Sequence, residues 1–223
     1  MTPAGTMNWR AMPALDPVLA GSGLALIMVG LIAISSASIE YADWLFGNPW
    51  HHTQRHLIYI ALAAVAAAIT YRVPPTFWEQ TGWAWLLGAL ALLVLVLVPG
   101  VGKDVNGSQR WLPLGPFTLQ PSELGKLAMV IYLAGYLVRQ EQEVRSEWSG
   151  FLKPMGVVGV MALLLMAEPD FGATVICAGT AFGMVFLAGA RLGHFIVVLL
   201  GALLALVALV FSAPYRVQRL TAY

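Results

Sequence analysis

Thiols are nearly absent from this 223-residue chain: its single cysteine, Cys177, lies in an apolar run. One cysteine excludes an internal disulfide framework and a metal cluster built on thiolates. Charge is scarce as well. Asp, Glu, Lys and Arg make up only 10% of the residues, where a soluble domain carries about a quarter. With 12 basic and 11 acidic residues the net charge is +1, which argues against electrostatic capture of nucleic acid. There is no Gly-rich phosphate loop, nucleophile elbow or zinc-protease helix motif. Internal repeats and low-complexity stretches are also missing.

What the chain has instead is apolar length. Hydrophobic residues reach 59% and the mean hydropathy is +0.77, so water is not the solvent for most of the surface. The 22 glycines and 13 prolines fit a bilayer, where neighbouring helices re-satisfy the backbone that such residues disturb. A spanning helix takes roughly 20 mostly apolar residues, with about 17 still sufficient. Spans are expected at 16–38, 56–71, 83–98, 122–138, 154–168, 171–190 and 194–213. The fifth can be extended by Trp148 to Leu152. The fold class is therefore all-α, a polytopic transmembrane helix bundle of about seven spans. Residues 1–15 form a tail, 16–213 the bundle, and 214–223 the start of an outer loop. The first apolar segment is too long for a signal peptide, so it reads as a retained helix.

Lys and Arg in short loops set orientation. Arg10, Arg72, Arg139, Arg145, Lys153 and Arg191 fall on the N-terminal side, against Arg55, Lys103 and Arg110 opposite and before the last span. The N-terminus is thus expected inside the cell. Two loops then lie outside: 40–55, rich in Trp and His, and 100–121, punctuated by Gly and Pro.

Charge within a span is costly and suggests function. The fourth span opens with Gln120-Pro121-Ser122-Glu123-Leu124-Gly125-Lys126. Proline suits a first helical turn, and Ser122 and Glu123 stand at the positive end of the helix dipole. Glu123 and Lys126, three residues apart, share a face and can pair. The pair can serve packing alone, or it can meet an anionic headgroup through Lys126 with Glu123 orienting it. A second cluster, Glu168-Pro169-Asp170, occupies the turn between the fifth and sixth spans, on the same side by parity. Asp170 can cap the sixth span, contact substrate, or do both. Arg110 in the outer loop can offer its forked donors to a pyrophosphate or rest loosely at the interface. His51, His52 and His56 have metal-like spacing, but no carboxylate or cysteine stands in register with them, and they read as interfacial polar residues. The residues alone describe an outward polar site for an anionic, lipid-linked substrate, which an enzyme or a transporter can use.

The run NGSQRWLPLGPFTLQPSELGKL at 106–127, followed by EPDFGAT at 168–174, resembles the SEDS family of bacterial integral membrane proteins. WLFGNPWHHTQRHL, YLVRQEQEVR and FLKP are most similar to its cell-division branch. The resemblance implies a peptidoglycan glycosyltransferase that polymerises lipid II in septal wall synthesis, at the outer face of the bacterial cytoplasmic (inner) membrane. Its implied partners are a class B penicillin-binding protein, other division proteins and membrane lipids, with no nucleic acid. On this resemblance Glu123 and Lys126 match positions lining the family's central cavity. Asp170 matches the acid of a (Glu/Gln)-Pro-Asp motif, and Arg110 an important loop residue. Gln120, Ser122 and Glu168 complete the implied substrate-binding set, and Glu123, Lys126 and Asp170 are the catalytic candidates. No residue is assigned to a metal, although departure of pyrophosphate is compatible with a divalent cation. Family members have about ten helices of bilayer-crossing length, and their expected base, an Asp, lies in a large outer loop after the seventh. That loop would begin just past 213–216, so the resemblance implies that this chain alone does not polymerise lipid II. A lipid II flippase and a non-catalytic scaffold are the alternatives.

Overall fold

The computed structural model describes residues 16–105, 108–115 and 117–211. The expected tail at 1–15 and the expected loop start at 214–223 lie outside the described residues. The chain divides into two compact units, 1–75 and 76–223.

The first unit is a pair of helices, α1 (Pro17–Phe46) and α2 (His51–Arg72). Asp16 caps α1 by accepting from the Val18 and Leu19 amides at 2.8 and 3.2 Å, with Pro17 in the first turn. The helix stops at Gly47, whose φ of 62° is the left-handed conformation that closes a helix C-terminus. Thr53 on α2 donates its hydroxyl to Ser35 on α1 at 3.1 Å. Both helices outrun the expected spans, to Phe46 instead of residue 38 and from His51 instead of 56. The cause is local: Glu40 and Asp43 lower the hydropathy, but nothing breaks the backbone before Gly47. Hydropathy locates the bilayer core, and caps locate the helix ends.

The second unit holds α3 (Pro75–Leu97, apart from its first residue), α4 (Pro121–Arg139), α5 (Glu141–Ser146), α6 (Trp148–Ala167), α7 (Phe171–Leu187) and α8 (Leu192–Phe211). The short α5 lies in the connection between α4 and α6. On α4 the buried positions Pro121, Gly125, Met129, Leu133 and Leu137 recur every fourth residue, the stripe a 3.6-residue period produces. On α7 the matching stripe is Ala173, Cys177, Ala181 and Val185. These stripes meet Phe151, Val158, Met161 and Leu165 of α6 in one apolar core. Gly82 of α3 sits against the α4 backbone, where an added Cβ would come within 3.2 Å of the Tyr132 Cα. Among the described residues four helices, α1, α2, α3 and α6, are long and apolar enough to cross a membrane, and α7 and the 192–205 part of α8 are apolar but shorter. The 19-residue α4 carries Glu123, Lys126 and Arg139. An all-helical membrane bundle is thus the architecture.

One segment departs from the all-α expectation. The 100–121 loop holds a three-stranded antiparallel sheet, β1 (Lys103–Val105), β2 (Ser108–Leu114) and β3 (Phe117–Leu119), in that spatial order. Val105 pairs with Ser108 and Leu114 with Phe117. Gly115 takes the left-handed φ of 64° there.

The contact between α5 and α6 depends on Gly150. A Cβ at that position would lie 2.3 Å from the Glu143 carbonyl carbon and 2.6 Å from the Val144 nitrogen, both backbone atoms that cannot rotate away. Gly150→Ala is therefore expected to destabilise by about 1–3 kcal/mol. It should lower the thermal unfolding midpoint in detergent, whereas Gly156→Ala, with nothing within 4 Å, should leave it unchanged or raise it.

Candidate functional site

The two polar clusters read from the sequence come together where the N-terminal ends of α4 and α7 meet the C-terminal end of α6. Asp170 is the joint. Its Oδ1 accepts from the Ala173 amide at 3.1 Å, which caps α7. Its Oδ2 accepts from the Ser122 hydroxyl at 3.2 Å and, more weakly, from Gln120 Nε2 at 3.4 Å. One carboxylate thus ties the first turn of α4 to the first turn of α7. Of the roles weighed for Asp170 the cap is present, and the carboxylate also reaches across to α4. Asp170 is 7% exposed and Ser122 fully buried, so the tie faces inward.

Arg110 is not a loose interfacial side chain. From β2 its Nε donates to the Glu168 carbonyl oxygen at 3.1 Å and to Ser108 Oγ at 2.7 Å, and its Nη2 donates to the Pro169 carbonyl oxygen. Ser108 in turn donates its hydroxyl to the Glu168 carbonyl at 2.8 Å. The terminal carbonyls of α6, which have no partner inside the helix, are met by a cation at the negative end of the dipole. Ser108 was not among the candidates. Its position sixty residues from Glu168 left no local signal; only the sheet carries it across.

Glu168 lies just past the last turn of α6 and is fully buried. Among the described residues neither of its carboxylate oxygens has a hydrogen-bond partner. Burial first, and the charge of Asp170 second, push its pKa up to about 8, with Arg110 pulling the other way. Its carboxyl is therefore mostly protonated at neutral pH.

The Glu123–Lys126 pair forms as the spacing suggests, with Nζ 2.7 Å from Oε1. Here exposure separates the two from the rest of the cluster: the Glu123 side chain is 60% exposed and that of Lys126 is 25% exposed. Among the described residues no hydrogen bond or ion pair joins this pair to Asp170. The cluster accordingly has an inner part, Ser108, Arg110, Ser122, Glu168 and Asp170, and an open part, Glu123 and Lys126. Leu124 and Leu127, between and beside them on α4, help line an apolar groove of about 690 Å³ against Trp78, Trp85 and Leu92 of α3.

His51, His52 and His56 belong to the first unit. His51 stacks on Phe46 with centroids 4.0 Å apart, and His52 on Tyr41 at 6.0 Å. Among the described residues no three His, Cys, Asp or Glu side chains are grouped to hold a metal ion.

Helices of this length and hydropathy, with a polar cluster at their ends, define an integral membrane protein of the helical-bundle class. The chain belongs to the FtsW/RodA/SpoVE family of cell cycle proteins, which matches residues 18–223. This bears out the family resemblance carried by the two motifs. A probable peptidoglycan glycosyltransferase FtsW of Pseudomonas fluorescens is 45% identical over 221 residues, covering 99% of this chain and 54% of that protein. Another of the same name, from Nitrosococcus halophilus, is 50% identical over 213 residues, covering 95% and 54%. Among solved structures, the rod shape determining protein RodA of Thermus thermophilus has a TM-score of 0.64 at 25% identity, covering 85% of this chain and 58% of that one. A chain from a study of how a peptidoglycan synthase complex coordinates polymerization and crosslinking has a TM-score of 0.67 at 25% identity, covering 89% and 57%. The chain spans about half the length of the curated relatives it matches.

Proposed function

We propose that this chain forms the lipid-substrate half of a peptidoglycan glycosyltransferase that polymerises lipid II during septal wall synthesis. The observation that carries the reading is Lys126: a cation one turn into a helix, partly exposed, with one carboxylate partner and an apolar groove beside it. In the reaction a sugar hydroxyl oxygen attacks an anomeric carbon, the bond from that carbon to the pyrophosphate oxygen breaks, and the hydroxyl proton passes to a carboxylate base. Lys126 stabilises the charge that grows on the departing pyrophosphate, and Glu123 orients the lysine. The groove suits the apolar chain of a lipid-linked donor. The family resemblance assigns the base to an Asp in a large outer loop, and because the chain spans about half the length of the relatives it matches, the activity is proposed for the full-length protein.

The names of the relatives support the glycosyltransferase chemistry, and the description of the family as cell cycle proteins supports a role in the cell cycle. The likeness to a chain of a peptidoglycan synthase complex supports a crosslinking partner, a class B penicillin-binding protein. The Lys and Arg count supports an inside N-terminus, which turns the cluster toward the outer face of the inner membrane.

Labelled lipid II incubated with the full-length protein in detergent tests the reading. Polymer is the expected product, and it forms with no membrane to cross. Absence of polymer in detergent together with transbilayer movement of lipid II in vesicles would instead make the protein a flippase. Absence of both would leave a scaffold.

A further inference from the structure

The cluster contains two cations, and they do different things. Lys126 is partly open, and among the described residues its ion-pair partner is Glu123, three residues away. Arg110 is half-buried and already engaged: Nε and Nη2 meet two successive carbonyl oxygens, those of Glu168 and Pro169, and Nε also meets Ser108. The residue after those carbonyls is Asp170, whose carboxylate holds Ser122 and Gln120 at the start of α4. A continuous chain of contacts therefore runs from β2 through the α6–α7 turn to the helix that carries Glu123 and Lys126.

We propose that Arg110 is a positioning residue: its guanidinium clamps the α6–α7 turn to β2 and, through Asp170, sets the first turn of α4 on which Lys126 meets the substrate. The proposal rests on the glycosyltransferase reading for its kinetic part only. A forked guanidinium suits two adjacent carbonyls because its donors diverge in one plane. A lysine ammonium brings the same charge without that geometry.

Full-length protein with Arg110→Gln, Arg110→Lys, Asp170→Asn and the Arg110→Gln/Asp170→Asn double change separates this role from direct pyrophosphate binding. If Arg110 positions α4, kcat for lipid II polymerisation falls tenfold or more in Arg110→Gln while KM stays within twofold. Arg110→Lys recovers little of the loss. The double variant is no worse than the poorer single one, because both changes cut the same chain of contacts. A tenfold rise in KM with kcat retained, restored by lysine, would overturn the proposal in favour of a phosphate contact, and multiplicative losses in the double variant would overturn it too.

A second measurement does not need activity. Amide hydrogen exchange over residues 122–126 of α4 should speed up at least tenfold in Arg110→Gln, since the first turn loses its anchor. Unchanged exchange there overturns the positioning role even if the variant is inactive. Wild-type protein that fails to polymerise lipid II, yet shows the faster exchange in the variant, would remove the glycosyltransferase reading and leave the clamp standing.

Discussion

Lys126→Ala in the full-length protein is expected to cut lipid II polymerisation by about 10²–10³-fold, the usual loss when one preorganised group is removed from a developing negative charge. The same change should hardly alter stability. Lys126 has one partner, Glu123, on an exposed i,i+3 pair 2.7 Å long, and pairs of that kind contribute only a few tenths of a kcal/mol, roughly 0.2–0.5. Nothing packed in the core is lost, because the buried stripe of α4 runs through Gly125 and Met129. Initial rates and unfolding midpoints measured side by side on purified protein make the test. A rate loss under tenfold would sink the leaving-group role. A loss matched by a lower midpoint would move Lys126 into the fold instead of the chemistry.

Glu123→Gln keeps the shape of the pair and removes its charge. Lys126 then stays in place with weaker orientation, so a smaller rate loss is expected than for Lys126→Ala. The contrast matters because the two residues read as equals along the chain. Exposure is what ranks them, and exposure depends on which face of α4 meets α6 and α7.

The apolar segments and their order were legible because a bilayer makes stringent demands: a helix that crosses it must be apolar along most of its length. The first turn of α4 was legible for a related reason. Pro121, Ser122 and Glu123 each have a stated preference for a helix start, and so does Asp170 for a cap. Helix ends were less legible. α1 runs on through Glu40 and Asp43 to Gly47, since charged residues at a membrane surface lower hydropathy without ending a helix. The role of Arg110 could not be read at all from its neighbours. Its partners are 58 and 59 residues away, and the contact exists only because a small sheet folds back over the α6–α7 turn. The sheet left only the Gly and Pro punctuation of the 100–121 loop as a signal, since strands such as Lys103–Val105 are short and polar. Glu168 was misleading in another way. Along the chain it is one of two carboxylates in a turn, and only the packing shows that it is fully buried.

That burial has the second large consequence. The Glu168 carboxyl, held at a pKa of about 8 in the fold, titrates near 4.5 when unfolded. An acid whose pKa rises on folding takes up a proton as the chain folds. Its contribution to stability is therefore fully present below about pH 4.5, declines as the pH climbs from there to about 8, and changes no further above that. The sign is opposite to that of an ion-paired carboxylate. The full change is on the order of 3–5 kcal/mol, at 1.36 kcal/mol per pKa unit. Glu168→Gln keeps the size and a neutral polar head, so it should abolish this slope. The variant is expected to match the wild type near pH 5 and to unfold several degrees higher at pH 9. Unfolding midpoints of both proteins, followed in detergent from pH 5 to 9, decide the matter. The difference between them isolates Glu168 from every other titrating group, and a difference that does not grow with pH means the carboxyl finds charge stabilisation in the folded protein.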